Sequence, residues 1–223
     1  MLNFKLLTYS ILFLLFQASL FSNEIRVIRQ EKTWSEKECR FKIYYPKIRS
    51  KIKNQFIKLN RFFNKEFTDV TKYKNEYECN LFASTPIPFD LSIDFEVKLL
   101  TKNTLSIYSI TSIFTEGNAH PFNQYKVYNY NLQTGEKILL KKLFKQEKIP
   151  LEELNRTIRK NLNKDIQGMY TDRFEFKDFY LTKGNIYFIN LFDIYVYETI
   201  EGKVGIKTIL KKLDNFYVQE LIN

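Results

Sequence analysis

The sequence is poor in the residues that most often build catalytic and metal sites, with one histidine and two cysteines among 223 residues. A structural zinc site usually takes four cysteine or histidine ligands, which this chain does not have. The sequence also lacks a Gly-x-Ser-x-Gly elbow, a phosphate-binding loop, a Gly-x-Gly-x-x-Gly fingerprint and a His-Glu-x-x-His pair. We therefore expect no metal, no other cofactor and no enzymatic activity. A carboxylate pair needs no fixed spacing, so an envelope glycoside hydrolase stays a second alternative.

Glycine and proline are scarce as well, with six and five residues. No stretch is rich in both, and no internal repeat or low-complexity run interrupts the chain. Flexible linkers are usually rich in glycine, serine or proline, so this composition predicts one packed unit rather than separately moving domains.

Charge is almost absent from the N-terminus, where Lys5 is the only charged side chain before Glu24. Residues 6–21 are mostly apolar, but the uninterrupted apolar part is only residues 11–16. A membrane-spanning helix needs ~20 mostly apolar residues, whereas a charged start and a short apolar segment are typical of a secretory signal peptide. We predict a signal peptide over residues 1–22, with an uncleaved anchor as the alternative. The chain is then exported to the bacterial periplasm or the extracellular side of the cell envelope.

The two cysteines, Cys39 and Cys79, are then expected in an oxidising compartment, where an even number of cysteines most simply forms disulfides. We predict one structural disulfide between them. It would close a loop of about 40 residues, which contributes roughly 4 kcal/mol in the chain-entropy model. With both thiols used in this way, the chain offers no thiol nucleophile.

Acidic residues are outnumbered by basic ones, 25 to 35, which gives a formal charge of +10, or +9 once residues 1–22 are removed. Basic exported proteins tend to meet anionic polymers such as teichoic acids, lipopolysaccharide or anionic lipid. We expect peptidoglycan or an anionic envelope polymer as the partner and no nucleic acid. A membrane is expected only if the N-terminal segment is kept. Alternatively, the charge reflects only a lysine-rich composition.

Apolar periodicity predicts an α+β fold of antiparallel sheet with two main helices packed on it. Residues 41–48 alternate as a half-buried strand does, and apolar residues then recur at steps of four and three, typical of an amphipathic helix over residues 47–67. Residues 91–99 form a strand with one wet face, and residues 105–114 a central strand. A second helix is predicted over residues 150–167. The chain closes with further strand-like segments at residues 173–181, 186–197 and 204–210.

The helix predicted over residues 47–67 is mostly basic beside its apolar stripe, and Glu66 is its only acid. Such a helix can lie on an anionic surface, while its apolar stripe packs on a sheet. Outward tyrosines beside lysines would add contacts to sugar rings. The predicted polymer-binding residues are Lys51, Lys53, Lys58 and Arg61.

The only histidine, His120, lies in the stretch TEGNAHPFN, residues 115–123. A catalytic histidine needs a nucleophile and an orienting acid close in space, and no such arrangement is evident in the sequence. Gly117 and Asn118 suit a positive φ, and Pro121 stiffens the exit of the segment. We interpret the stretch as a turn between two strands that His120 braces.

Several motifs occur in an order that resembles one family. They are FKIYYPKI, the helix that follows it, SITSIFTEGNAHPFNQYKVYNYNLQTGEKILLKKLF, and FYLTKGNIYFINLFDIYVYETIEGKVGI. Together they resemble the extracytoplasmic domain shared by the anti-sigma factor RsiV and the peptidoglycan deacetylase PdaC, over about residues 41–210. Asn131 replaces the aspartate usual in the family's hairpin. The matching positions are Gly117, Asn118, Ala119, His120 and Pro121 in the turn, and Tyr128, Asn129, Asn131, Thr134 and Gly135 in the hairpin.

The resemblance implies an α+β fold in the cell envelope, with a PdaC-like half at residues 23–122 and an RsiV-like half at 123–223, packed as one unit. In the deacetylase, the chemistry belongs to a separate domain with metal-binding histidines, so we expect no deacetylation here. In the anti-sigma factor, a cytoplasmic segment holds the sigma factor, and we expect none before Lys5. The outer domain there senses lysozyme. We therefore expect a non-catalytic envelope-binding module, with a lysozyme-binding or lysozyme-inhibiting protein as the first alternative.

Overall fold

The computed structural model describes most of the chain after residue 24 and confirms an α+β fold, with one five-stranded and one three-stranded sheet among the residues described. The described residues are 25–36, 39–52, 54–76, 89–161, 174, 176–191 and 202–222.

Strands and helices follow one another in the order strand pair, helices, meander, helix, strands and helices. The strands are β1 (Arg26–Glu36), β2 (Cys39–Arg49), β3 (Phe89–Leu100), β4 (Thr104–Thr115), β5 (Phe122–Asn131), β6 (Asp178–Thr182), β7 (Asn185–Ile189) and β8 (Gly202–Gly205). The α-helices are α1 (Ile57–Thr68), α2 (Thr71–Glu76), α3 (Leu151–Asn161), α4 (Ile206–Ile209) and α5 (Asn215–Ile222). Short 3-10 turns lie at Leu140–Leu143, Lys145–Glu147 and Leu210–Lys212.

The large sheet runs in the order β1-β2-β3-β4-β5 and is mixed rather than wholly antiparallel. Its parallel pair is β2 with β3, from Cys39 opposite Phe89 to Ile43 opposite Ile93. The chain between these strands passes through α1 and α2, and a connection of that length is what a parallel pair needs. The other pairs, including those of the small sheet β6-β7-β8, are antiparallel as predicted.

The first main helix is present, but it begins at Ile57 and not near residue 47 as predicted. Residues up to Arg49 continue β2, in which Ile48 is buried as a strand residue. The side-chain amide of Asn60 accepts a hydrogen bond from the Ile48 N–H at 2.7 Å and donates one to its carbonyl at 2.9 Å. Asn54 then has a positive φ of 70°, which a helix does not tolerate. The apolar stripe in the sequence therefore combined the end of a strand with a helix. In the structure these are two separate elements.

Helix α1 packs its apolar face on the large sheet and forms the first hydrophobic core. Its Phe63 and Phe67 rings contact Tyr128 of β5, with ring centroids 6.0 and 5.4 Å apart. Phe67 also meets Phe95 of β3 edge to face at 6.1 Å. Aromatic contacts of this kind add to the free energy gained by burial, so they fix the position of α1 on the sheet.

A second core lies between the small sheet and helices α3, α4 and α5. Gly202 of β8 lies so close to α3 that a Cβ there would be 2.9 Å from the Ile158 side chain. Residues 204–210, predicted as a strand, divide into the end of β8 and helix α4. Helix α5 was not predicted, although the buried residues from this region recur at steps of three and four: Ile206, Ile209, Leu213, Tyr217 and Leu221.

A ring of buried hydrogen bonds joins the two sheets. The Leu181 N–H donates to Ser106 Oγ at 2.8 Å, and the Ser106 hydroxyl donates to Asn129 Oδ1 at 2.6 Å. The Asn129 amide nitrogen then donates to the carbonyl of Phe179 at 2.6 Å. The side chains of Ser106 and Asn129 thus bond to backbone groups at one edge of β6. A neighbouring strand would otherwise pair with those groups.

Some predictions fall on residues outside the described ranges and stay predictions. They concern the signal peptide over 1–22, the end of the second helix after Asn161, Lys53, and Cys79 with its disulfide. Cys39 is buried at the start of β2. The division into halves at 122/123 also stays a prediction. No helix in the described part of the chain is long and apolar enough to cross a membrane.

We expect Asn129→Ala to lower the free energy of unfolding by roughly 2–4 kcal/mol, because it leaves the buried Ser106 O–H without its acceptor and the Phe179 carbonyl without the amide donor. Urea unfolding measures the change. Asn118→Ala, in an exposed turn, is the control and should stay within about 0.5 kcal/mol of the parent. Equal stability of the two variants would show that the ring contributes nothing to folding.

Candidate functional site

The exposed face of α1 carries a row of basic side chains. Lys58, Arg61 and Lys65 follow at spacings of three and four, so they lie on one side of the helix, away from the buried apolar face. All three are exposed, and in the part of the chain that the structure describes none has an acidic side chain at ion-pair distance. Phe62 lies among them with 38% of its surface exposed. We call Lys58, Arg61, Phe62 and Lys65 the cationic row.

The predicted polymer-binding residues are only partly brought together. Lys58 and Arg61 belong to the cationic row, whereas Lys51 lies in the loop before the helix. Lys53 lies outside the described residues. Ile52 in the same loop is 48% exposed, which continues the mixture of apolar and basic surface. Lys65 belongs to this surface too, although it was not among the predicted contacts.

A cavity of about 240 Å³ lies between the C-terminal end of α1, α2 and the large sheet. Its lining combines two carboxylates, one ammonium group, hydroxyl groups and an apolar floor. The lining residues are Glu66, Phe67, Asp69, Thr71, Tyr73, Ile93, Ser109, Thr111, Lys126 and Tyr128. Only Tyr128 was among the predicted site residues, because the others come from segments distant in sequence.

Glu66 organises one wall of the cavity. Its Oε1 accepts hydrogen bonds from Lys126 Nζ and from the Tyr128 hydroxyl, each at 3.1 Å. Burial and the nearby Glu66 carboxylate raise the pKa of Tyr128 above its ordinary value. The same causes, burial first, raise the pKa of Tyr130 to about 12. Both phenols therefore stay protonated donors at any physiological pH.

Asp69 ends α1 on the other side of the cavity. Its Oδ1 accepts a hydrogen bond from the Thr71 N–H at 3.2 Å. Hydrogen bonds from the Thr71 side chain and backbone lower the pKa of Asp69 below its ordinary value. Asp69 is therefore a carboxylate at neutral pH, and with Glu66 it outnumbers the one lysine of the lining.

The His120 segment is a turn between β4 and β5, as predicted. Gly117 has a φ of 93°, and the Asn118 N–H donates to the Thr115 carbonyl at 3.1 Å. Residues 117–121 are exposed and do not line the cavity. Among the described residues, no three His, Cys, Asp or Glu side chains form a group that could hold a metal ion.

The predicted hairpin residues at the end of β5 and in the turn after it divide between two structural roles. Asn131 Oδ1 accepts hydrogen bonds from the N–H groups of Gln133 and Thr134 at 2.9 and 3.1 Å. An aspartate would supply the same acceptor, so the asparagine at this position preserves the turn. Gly135 completes it with a φ of 74°. Asn129 belongs instead to the buried ring between the sheets.

A row of tyrosines crosses from the large sheet to the small one on the face opposite α1. Tyr125 stacks with Tyr108 at 5.8 Å, Tyr108 meets Tyr180 at 5.5 Å, and Tyr180 stacks with Tyr187 at 4.8 Å. Lys98 Nζ lies 5.1 and 5.2 Å from the rings of Tyr108 and Tyr180. Tyr180 is only 3% exposed. The row therefore joins the sheets, with Tyr180 buried and the other three rings partly exposed.

Comparison with known proteins finds one family model and similar solved structures. Residues 33–123 match the model of a family described as Deacetylase PdaC. The fold is similar to that of a DUF3298 family member from Bacteroides fragilis, with a TM-score of 0.57 and 18% identity over 90% of this chain and 97% of that one. A DUF3298 family protein from Pseudomonas aeruginosa gives a TM-score of 0.54 and 13% identity over 86% and 95%. No curated protein is similar in sequence.

The resemblance read from the sequence motifs is therefore confirmed: residues 33–123 match the PdaC family model, and the fold is similar to that of the two DUF3298 proteins. The matched segment contains α1 with its cationic row, Glu66 and the His120 turn, and ends within β5. At such low identities the two solved structures show a shared fold, which extends over nearly the whole chain.

We expect stability to fall at alkaline pH through Tyr130. The unfolded chain returns this phenol to a pKa of about 10, whereas the folded value is about 12. A raised folded pKa contributes stability that is fully present below pH ~10 and is lost as pH rises toward the folded value. Urea unfolding at a series of pH values should show a smaller alkaline loss for Tyr130→Phe than for the parent. Identical losses in the two proteins would contradict the assignment.

Proposed function

We propose that this protein is an exported binding module of the bacterial cell envelope, without catalytic activity, that contacts peptidoglycan or an associated anionic polymer. The observation that supports the proposal is the cationic row, in which three basic side chains on one helix face have no acidic partner in the described structure. An isolated row of cations attracts a polyanion and releases its counterions.

Seven basic groups of the described residues form ion pairs within the fold, whereas those of the cationic row do not. Arg29 pairs with Asp94 at 2.6 Å, and Lys126 pairs with Glu66 at 3.1 Å. Lys141 pairs with Glu147 at 2.9 Å. The row keeps its charge, and the exposed Phe62 offers an apolar surface between the cations for a sugar ring or an acyl group.

The family description names a deacetylase, and we propose that this chain lacks that activity. Deacetylation in the resembling protein rests on metal-binding histidines, and this sequence has one histidine. That histidine lies in the β4–β5 turn, outside the lining of the cavity. On this proposal the chain resembles a non-catalytic part of such an enzyme, over residues 33–123.

A glycoside hydrolase is disfavoured as an alternative by the carboxylates of the cavity. Such an enzyme needs a general acid that is held protonated by a raised pKa. The pKa of Asp69 moves in the opposite direction. Glu66 already accepts hydrogen bonds from Lys126 and Tyr128.

The first alternative is a lysozyme-binding protein. Binding a basic partner would need an acidic or shape-complementary groove. The cavity contains Glu66 and Asp69, but Lys126 offsets one of them. On the opposite face, Asp90 is paired with Arg40. The charged surface of the described residues thus favours an anionic partner over a basic protein.

We expect the mature protein, residues 23–223, to co-sediment with purified cell-wall sacculi at low salt and to be released at about 1 M salt, where charges are screened beyond ~3 Å. Reversing the row with Lys58→Glu, Arg61→Glu and Lys65→Glu should lower retention at low salt at least about tenfold. Each basic residue near an anionic surface contributes about 1 kcal/mol, and three are reversed.

The matched control reverses the same number of charges on exposed lysines of the C-terminal region, Lys207→Glu, Lys211→Glu and Lys212→Glu. This control should keep most of the retention. If the parent protein does not sediment at either salt concentration, or both triple variants lose retention equally, the proposed role of the row is wrong. A stable complex with lysozyme in the same buffers would favour the alternative.

A further inference from the structure

The cavity beside α1 has the size and lining of a site for one small hydroxylated ligand. Its volume of about 240 Å³ lies below the ~300–1,000 Å³ typical of pockets for drug-sized molecules, so it suits a single ring. Phe67 and Ile93 give an apolar floor, which the C–H face of a sugar ring would cover. Hydroxyl groups surround that floor, from Thr71, Tyr73, Ser109, Thr111 and Tyr128.

One of these hydroxyl groups has no hydrogen-bond partner among the described residues. Thr111 lines the cavity and is only 7% exposed. Its side chain makes no hydrogen bond within the described structure. Its Oγ1 is not among the enclosed side-chain atoms that lack a partner, so it is open to the cavity, where water or a ligand can bond to it. A hydroxyl group of a ligand in the cavity would satisfy Thr111.

The charge of the lining selects among hydroxylated ligands. Glu66 and Asp69 face one lysine, Lys126, so the cavity carries a formal charge of −1 in a strongly basic protein. The two donors that bind Glu66 both use Oε1, which leaves Oε2 to accept from a ligand. An ammonium group placed there forms a charge-assisted hydrogen bond, whereas a carboxylate or phosphate would be repelled.

We propose that this cavity binds a single sugar ring that carries a free amine, a hexosamine unit. The ammonium group contacts Glu66 Oε2, a ring hydroxyl contacts Thr111, and the C–H face lies on Phe67 and Ile93. The site does not depend on the proposed binding of an anionic polymer, because the cationic row takes ligands of the opposite charge. Lys58 and Arg61 do not line the cavity, so reversing these two leaves it intact, whereas Lys65 acts on Asp69 and is kept in that comparison.

Titration with D-glucosamine tests the proposal, followed by calorimetry or by saturation-transfer NMR on the full mature protein. We expect D-glucosamine to bind, D-glucose to bind more weakly, and D-glucuronic acid to bind at least about tenfold more weakly than the amine. Glu66→Gln should lower the affinity for D-glucosamine roughly tenfold or more, since it replaces a charged acceptor by a neutral one. Thr111→Val, which keeps the shape of the side chain, should also weaken binding.

Glu147→Gln is the matched control, because Glu147, like Glu66, is a carboxylate that accepts from two side chains, here Lys141 and Lys142, but it lies outside the cavity. It should bind D-glucosamine like the parent, and so should the double variant Lys58→Glu, Arg61→Glu, whose residues lie outside the cavity. Absence of D-glucosamine binding overturns the proposal, as does equal binding of D-glucuronic acid. Unchanged affinity in a folded Glu66→Gln variant, checked by thermal unfolding, also overturns it. Loss of sacculus binding in the triple variant bears only on the cationic row.

Discussion

The arrangement of the two sheets depends on the closed ring of hydrogen bonds formed by Ser106, Asn129 and the edge of β6. Hydrophobic contact alone is non-directional and would let one core slide over the other. The ring removes that freedom, because each of its donors has one acceptor. The backbone of β6 can therefore bond to Ser106 and Asn129 in only one position along the strand. Buried polar networks that are fully satisfied specify a unique packing in this way.

Other contacts between the halves follow from this register. Lys98 can reach two tyrosine rings of different sheets because β6 lies beside β4 at a fixed offset. At the far end, the Glu220 carboxylate of α5 accepts hydrogen bonds from Thr101 and Asn103 of the β3–β4 turn. The Gly184 N–H of the β6–β7 turn donates to the Leu221 carbonyl at 2.7 Å. The C-terminal helix is thus anchored to both sheets.

Much of this fold could be predicted from periodicity, and the failures have physical causes. Strands β3 and β4 were predictable because one face alternates cleanly, and the turns at Gly117 and Gly135 because glycine accepts a positive φ. The start of α1 was not predictable. Ile48 is buried as a strand residue, but its spacing from the apolar residues that follow also suits a helix. The parallel pairing of β2 with β3 leaves no trace in a pattern that reports only which face of a strand is buried.

The site was harder to predict than the fold for a different reason. The basic residues of α1 were visible as a composition bias, so Lys58 and Arg61 were identified before their geometry was known. Glu66 appeared in the sequence only as the lone acid of a basic helix. Its role depends on Lys126 and Tyr128, which are sixty residues away along the chain and become neighbours only when β5 joins the sheet. No local pattern encodes a contact of that range.

The short parallel pairing described above has a consequence for the order of folding. Strands β3, β4 and β5 form a meander from neighbouring segments, and β1 and β2 pair with each other over eleven residues, so both units can assemble from local contacts. They meet over only five residue pairs, across a connection that contains α1 and α2. Closing that long loop is the entropically slow step, because non-local contacts form only after the chain between them has been ordered. We therefore expect the large sheet to form as two units that join late, and α1, with its basic residues, lies in the segment that connects them.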